Sequence, residues 1–295
     1  MPPIAAKATP SYTLWMAHNV TSMKNNYHTH STYCDGKEPL QAFVKAAEEA
    51  HFDQLGFSSH APVPFENDFG ISFENLPIYR KEIETLNATT DVQLLAALEC
   101  DYIPGISTPF DTFRHDYHLD YIIGGVHLVR PSHGDKLWFI DGSKREIYDN
   151  GLTEFFHNDI KTAVTTFWEQ TFEMIETQHL DIIAHLDKIK MHNQHRFFTE
   201  EEIWYEALAD HALDLIHRHN VIIEINSRGI YKKRCDSYYP SDKIMKKAAK
   251  MGIPFVISSD AHTPDELDAL YDETAAKLQE CGITDTVHFD GGQWK

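Results

Sequence analysis

The chain is 295 residues long, carries 26 basic against 45 acidic side chains for a formal charge of −19, and contains 19 histidines. This length can bury a full core in one domain, and an acidic balance without dense Lys and Arg runs excludes a grip on phosphate backbones, hence nucleic acid as a partner. Histidine and carboxylates in this supply offer many ligands for divalent metals.

Residues 1–22 read as a poorly patterned leader, and Met23-Lys24-Asn25-Asn26 makes a natural start for a domain spanning 23–295. Apolar runs at 26–30, 54–60, 92–99, 121–127, 181–185, 221–226 and 254–260 predict about seven strands, with segments of helical spacing between most of them. Residues 130–158, punctuated by Pro131, Gly134, Asp141-Gly142 and Asn150-Gly151, read as a long loop after the fourth strand. It is either a lid over a site or an insertion packed on Trp138, Phe139, Phe155 and Phe156. Helical recurrence shows at Trp204, Leu208, His211 or Ala212, Leu215 and His219, and Gly252 closes a helix over 241–251. This alternation predicts an α/β fold, a single-domain distorted (β/α)7 barrel that is TIM-barrel-like. Cys34, Cys100, Cys235 and Cys281 lack a paired zinc-type spacing and read as free thiols. No apolar run approaches the roughly 20 residues that span a bilayer; no membrane partner and a cytoplasmic location are expected.

The chemistry sits at the strand ends. His28 and His30 end the first predicted strand, His60 the second, Glu99 the third, His127 the fourth, His185 the fifth, and Asp260 with His262 the seventh. In a strand-helix barrel these ends meet on one face, which places a metal site at the C-terminal ends of the strands. One histidine ending a strand is an ordinary structural residue, but six of seven strands ending in His, Asp or Glu is a constellation. His28-Thr29-His30 and Asp260-Ala261-His262 each put two candidate ligands two residues apart, on one side of an extended chain. Glu99 follows the apolar run Leu94-Leu95-Ala96-Ala97-Leu98, and a carboxylate so buried is normally paired or metal-bound. Asp35, before Gly36, is either a simple turn residue or a carboxylate directed back at the ions.

These segments resemble the polymerase-and-histidinol-phosphatase (PHP) superfamily, and within it the histidinol-phosphate phosphatase branch. The matching stretches are His28-Thr29-His30 with Asp35-Gly36, His60-Ala61-Pro62-Val63-Pro64, Glu99-Cys100-Asp101-Tyr102-Ile103, Gly125-Val126-His127, Trp138-Phe139-Ile140-Asp141, Glu224-Ile225-Asn226 and Ser259-Asp260-Ala261-His262. The resemblance implies three divalent ions, drawn from Zn, Mn or Fe. One would be held by His28, His30, Glu99 and Asp260, the second by Glu99, His127 and His185, and the third by Asp35, His60 and His262. It also implies hydrolysis of L-histidinol phosphate to L-histidinol and phosphate in histidine biosynthesis, with Glu99, Asp260 and His262 in catalytic roles.

Phosphate binding is expected from Lys190, Arg228 and Lys232 beyond the fifth and sixth strands, although each also fits a solvated surface role. The partner expected is a small phosphomonoester. Asp101, Asp187 and Glu224 are candidate acceptors for its amine and ring, or else supports for ligands and backbone. His51, His179, His192, His195, His211, His217 and His219 are expected on helices or outer loops, away from the site. The alternatives are a PHP enzyme for another small phosphoester such as a nucleotide, and a binding protein whose metals are structural.

Overall fold

The computed structural model describes residues 23–134 and 136–295, so the leader expected at 1–22 lies outside the described residues. In chain order the elements begin β1 (Asn25–Asn26), α1 (Leu40–Glu49), β2 (Gln54–His60), α2 (Leu76–Asn87), β3 (Gln93–Asp101), α3 (Phe110–Tyr117) and β4 (Tyr121–Gly125). They continue with β5 (Leu128–Val129), β6 (Trp138–Phe139), α4 (Arg145–Phe156), α5 (Ile160–Thr177), β7 (Ile182–Ile183), α6 (Ile203–His219) and β8 (Ile222–Asn226). Last come α7 (Arg228–Tyr231), α8 (Asp242–Lys250), β9 (Phe255–Ser258), α9 (Tyr271–Glu280), β10 (Phe289–Asp290) and β11 (Gln293–Trp294).

Seven strands form one parallel sheet in the order β1, β2, β3, β4, β7, β8, β9, so each strand lies beside the next in sequence. Past the ends of β1 and β9 the sheet returns on itself through a parallel bridge between Thr29 and Ala261. The expected distorted seven-unit barrel is the fold observed. Strand periodicity separates two cores. In β3, Leu94, Ala96 and Leu98 face the helices, while Leu95 and Ala97 join Tyr27, Tyr121, Ile123, Ile182, Ile222 and Val256 inside the barrel. The β10–β11 hairpin adds Phe289 to that inner cluster, and Trp294 packs edge-on against Tyr27 at 5.0 Å between ring centroids.

The segment 130–158 is not a loop. It holds β6, which pairs antiparallel with β5, and the whole of α4. Asn150-Gly151 reads as a turn in sequence, but Gly151 is buried within α4. The missing side chain makes room for the Trp138 indole, whose Nε1 donates to the Tyr148 carbonyl at 3.0 Å. On α6 the buried stripe is Tyr205, Ala209, Ala212, Leu213, Leu215 and Ile216, so Trp204 and Leu208 sit at its edge.

Gly151→Ala separates two opposed effects. Alanine improves helix propensity by about 1 kcal/mol, but its Cβ would overlap the Trp138 ring, which is fully buried and has nowhere to move. Overpacking of this kind costs about 1–3 kcal/mol. Urea unfolding should show a lower midpoint at unchanged m-value, and a midpoint at or above that of the parent chain would contradict the packing described.

Candidate metal centre

The alternation that fills the barrel interior also builds the site above it. In β3 the inward series Leu95, Ala97 continues to Glu99 and Asp101. In β4 the series Tyr121, Ile123 continues past Gly125 to His127. His185 and Asp260 depart from strand geometry with φ of 28° and 55°. Such left-handed backbone costs a non-glycine residue about 1–3 kcal/mol and persists only where its surroundings enforce it. For His185 the enforcing contact is the hydrogen bond its N–H donates to Glu224 Oε2 at 2.8 Å.

Glu99 stands at the centre. Its Oε2 lies 3.0 Å from His28 Nε2, 3.4 Å from His30 Nε2 and 3.2 Å from His60 Nδ1. Its Oε1 lies 2.9 Å from His185 Nε2 and 3.4 Å from His127 Nε2. Asp260 Oδ1 is 3.4 Å from His30 Nε2, and Asp35 Oδ2 is 3.2 Å from His262 Nε2. All nine residues predicted as ligands are therefore brought together. Ligand atoms within 4.8 Å of one another occur in three overlapping sets: His30, Asp35, His60 and His262; His28, His30 and Asp260; and His60, Glu99 and His127.

The imidazoles are aimed from behind. His28 Nδ1 meets Glu224 Oε1 at 2.6 Å, His262 Nδ1 meets the Asp260 carbonyl at 3.0 Å, and His30 Nδ1 lies 3.4 Å from Cys34 Sγ. Partners of this type fix a ring's tautomer and direct its other nitrogen inward. His28 Nε2, His30 Nε2, His60 Nδ1 and Asp35 Oδ1 are then buried without a hydrogen-bond partner. Buried polar atoms are rarely left so. Converging imidazole and carboxylate donors of this sort fit divalent first-row ions.

Asp35, His60, Glu99, His127, Asp260 and His262 of the cluster form the floor of a cavity of about 510 Å³, with Lys37, Lys188, Arg228, Lys232 and Arg234 on its walls. Arg228 and Lys232 stand where the sequence places them, both bound to Glu266. Lys190 does not. It is buried away from the cavity, 2.7 Å from Asp187 and 3.4 Å from Glu200. The cation reaching the cavity from that segment is Lys188, 2.9 Å from Asp141 Oδ2. Residues 188–190 form a 3-10 turn, whose successive side chains diverge by about 120°; sequence spacing alone does not choose between the two lysines.

Asp141 was missed as a site residue because Asp141-Gly142 reads as a turn. Its Oδ2 lies 3.9 Å from His127 Nε2. Burial opposes its ionisation, but Lys188 and His127 outweigh that and hold its pKa at about 2. Burial likewise opposes charge on His127, yet Asp141 and Glu99 lift it to about 9. His185 moves the other way, to about 4, through burial and the nearby Lys188. His192, expected outside, is buried and meets the Gly142 carbonyl at 2.7 Å through Nε2.

Residues 26–228 match the model of the PHP domain. The chain belongs to the PHP domain family. A curated relative from Deinococcus radiodurans, named "Probable histidinol-phosphatase", is 25% identical over 262 residues, covering 86% of this chain and 92% of its own. A solved structure from Listeria monocytogenes, described as a candidate histidinol phosphatase, superposes with a TM-score of 0.73 at 22% identity, over 85% of this chain and 99% of that one. The histidinol phosphate phosphatase of Lactococcus lactis, solved with zinc, L-histidinol and phosphate, gives 0.63 at 16% identity, over 92% and 98% of the two chains. The PHP barrel thus accounts for the convergence of strand ends seen here. Among the described residues no helix is long and apolar enough to cross a membrane.

Two measurements test the centre. The purified chain should carry more than one divalent ion, and Glu99→Gln, which removes the carboxylate common to both halves of the cluster, should lower that number. Ion binding must also displace the proton His127 holds below about pH 9. Zinc affinity from chelator competition should therefore rise toward that pH by about tenfold per unit for each proton displaced. A flat profile across this window would contradict the ligand assignment of His127.

Proposed function

We propose that the chain is a metal-dependent phosphomonoesterase that hydrolyses L-histidinol phosphate to L-histidinol and phosphate. The observation that carries the reading is the cavity itself: a floor to which the cluster presents Asp35, His60, Glu99, His127, Asp260 and His262, beneath walls that bring Lys188 and Arg228 to the same space. We assign His28, His30, Asp35, His60, Glu99, His127, His185, Asp260 and His262 as ligands of up to three ions, with Zn, Mn or Fe as the candidates. Zinc is present in the Lactococcus lactis structure. Divalent ions in such a site supply Lewis-acid stabilisation of phosphoryl oxygens and water acidified toward neutral pH.

The chain's own groups do the rest. Glu99 offers one oxygen to each half of the cluster and holds the two halves at a fixed spacing. Lys188 and Arg228 provide cations for the phosphate, and Lys188 is kept charged by Asp141 against the cost of its burial. Arg228 is anchored by Tyr231, at 3.1 Å, and by Glu266, at 3.2 Å, so little order remains to be lost when it meets an anion. The substrate's other end carries a cationic amine and an imidazole ring. Phe69 and Phe139 add apolar faces for that ring.

Phosphate release from ion-loaded protein decides the substrate. L-Histidinol phosphate should be turned over with at least about tenfold higher kcat/KM than nucleoside monophosphates, a discrimination of about 1.4 kcal/mol. Equal or better efficiency on a nucleotide would favour the other phosphoester reading. Lys188→Ala and Arg228→Ala each remove a charge-assisted hydrogen bond worth about 1.5–3 kcal/mol, so kcat/KM should fall about 10- to 150-fold. Lys190→Ala should act on stability instead, because it strands Asp187 as a buried carboxylate. A Lys190 variant as stable as the parent but with a large loss in kcat/KM would reverse this assignment.

A further inference from the structure

β8 is the exception among the barrel strands, because it delivers none of the nine cluster residues. Its Glu224-Ile225-Asn226 segment nevertheless lies under the cluster, and both polar side chains are fully buried. Glu224 Oε1 accepts from His28 Nδ1 at 2.6 Å. Oε2 accepts the His185 backbone N–H at 2.8 Å and Asn226 Nδ2 at 3.1 Å. Asn226 Nδ2 also lies 3.3 Å from Asp260 Oδ2. One carboxylate thus reaches cluster residues on β1 and β7 directly, and one on β9 through a single amide.

We infer that Glu224 is a positioning residue that ties the two sides of Glu99 together, so that ions bind them as a coupled pair. The inference rests on the ion-holding reading of the cluster. Its two contacts do different work. The bond to His28 holds a proton on Nδ1, so Nε2, facing Glu99, is the nitrogen left for an ion. The bond to the His185 N–H holds a left-handed residue whose ring faces the other oxygen of Glu99. Asn226 is not free to replace either contact, since its Oδ1 accepts from the Arg228 backbone N–H at 2.9 Å.

Glutamine is the informative replacement. A carboxylate accepts at both oxygens, whereas an amide accepts at one and donates at the other. Glu224→Gln must therefore either turn its NH2 toward His28, which forces the proton onto Nε2, or turn it toward the His185 N–H, which leaves two donors facing each other. Either outcome disturbs one side of Glu99, and through the shared carboxylate the other side follows.

The test uses the full chain, stripped of ions and titrated with Zn2+ against a chromophoric chelator, together with urea unfolding of the stripped form. Loss of a partner behind a metal-binding histidine typically weakens affinity by about 10- to 100-fold. Glu224→Gln is expected to show a loss of that size that extends to more than one bound ion, with turnover recovering in excess Zn2+ at unchanged KM. A folded variant with the parent's zinc affinities would overturn the inference, as would a lower urea midpoint with zinc affinities unchanged. Should Glu224→Gln not fold, Asn226→Ala decides, with a several-fold weakening expected and parental affinity overturning. Zinc binding is read without substrate, so failure of the phosphatase reading would appear separately, as loaded parent protein that releases no phosphate.

Discussion

Two backbone hydrogen bonds close the barrel: His30 N–H to the Ala261 carbonyl at 2.8 Å, and Ala261 N–H to the His28 carbonyl at 3.2 Å. The site depends on that seam. β1 has only two residues of regular strand and β9 four, and in an open sheet they would lie at opposite edges. The bridge pairs Thr29 with Ala261, both fully buried. Each is the middle residue of a ligand pair, so His28 and His30 flank the seam from one side while Asp260 and His262 flank it from the other. Closing the sheet and assembling half of the cluster are the same event.

Gathering so many ionisable groups in one buried place is costly unless their charges offset each other. Burial opposes ionisation of Glu99 and Asp260, but His28 and the other cations around them keep both carboxylates well below their ordinary range. Burial also opposes charge on His28, and Glu99, Glu224 and Asp260 overcome it. His30 also has Asp260 and Asp35 beside it, but burial together with His262 and His60 outweighs them and holds it well below its usual value. The ion-free cluster therefore balances itself with a few protons on selected imidazoles. On the proposed function, divalent ions would replace those protons with more charge at the same place, which would let a chain of formal charge −19 present a positive floor to an anion.

What could be read from sequence follows from where each residue sits. Glu99 and His127 continue the period of two that packs Leu95 and Ile123 inside the barrel, so the pattern that marks the strands also points these groups into the site. Gly151 and the α4 region escaped because Asn150-Gly151 carries a turn signal that a tertiary contact with Trp138 overrides. Lys188 and Lys190 differ by two positions in a tight turn, and only the fold shows which one points to the cavity. Of the three acids considered for the substrate's amine, Asp187 is fully buried against Lys190 and the Ser241 N–H, and Glu224 lies behind His28. Asp101 does line the cavity, but its Oδ1 accepts the His127 N–H at 3.0 Å.

The same division separates the parts of the site by origin. Strand ends supply the cluster, and β8, whose end supplies none, supports it from below. The walls come from segments outside the barrel strands: Asp141 and Phe139 from the β6 region, Lys188 from a 3-10 turn, Arg228 and Lys232 from the short α7 and its end. His192 ties two of these segments together by its contact with the Gly142 carbonyl. Strand positions obey a fixed period, so a small error in a predicted boundary still leaves the ligand on the inward face. Wall positions obey no period, and one residue of shift exchanges Lys188 for a neighbour that points elsewhere. On the proposed function, the ions are held at the ends of the strands, and the groups that choose the substrate come from the irregular segments between them.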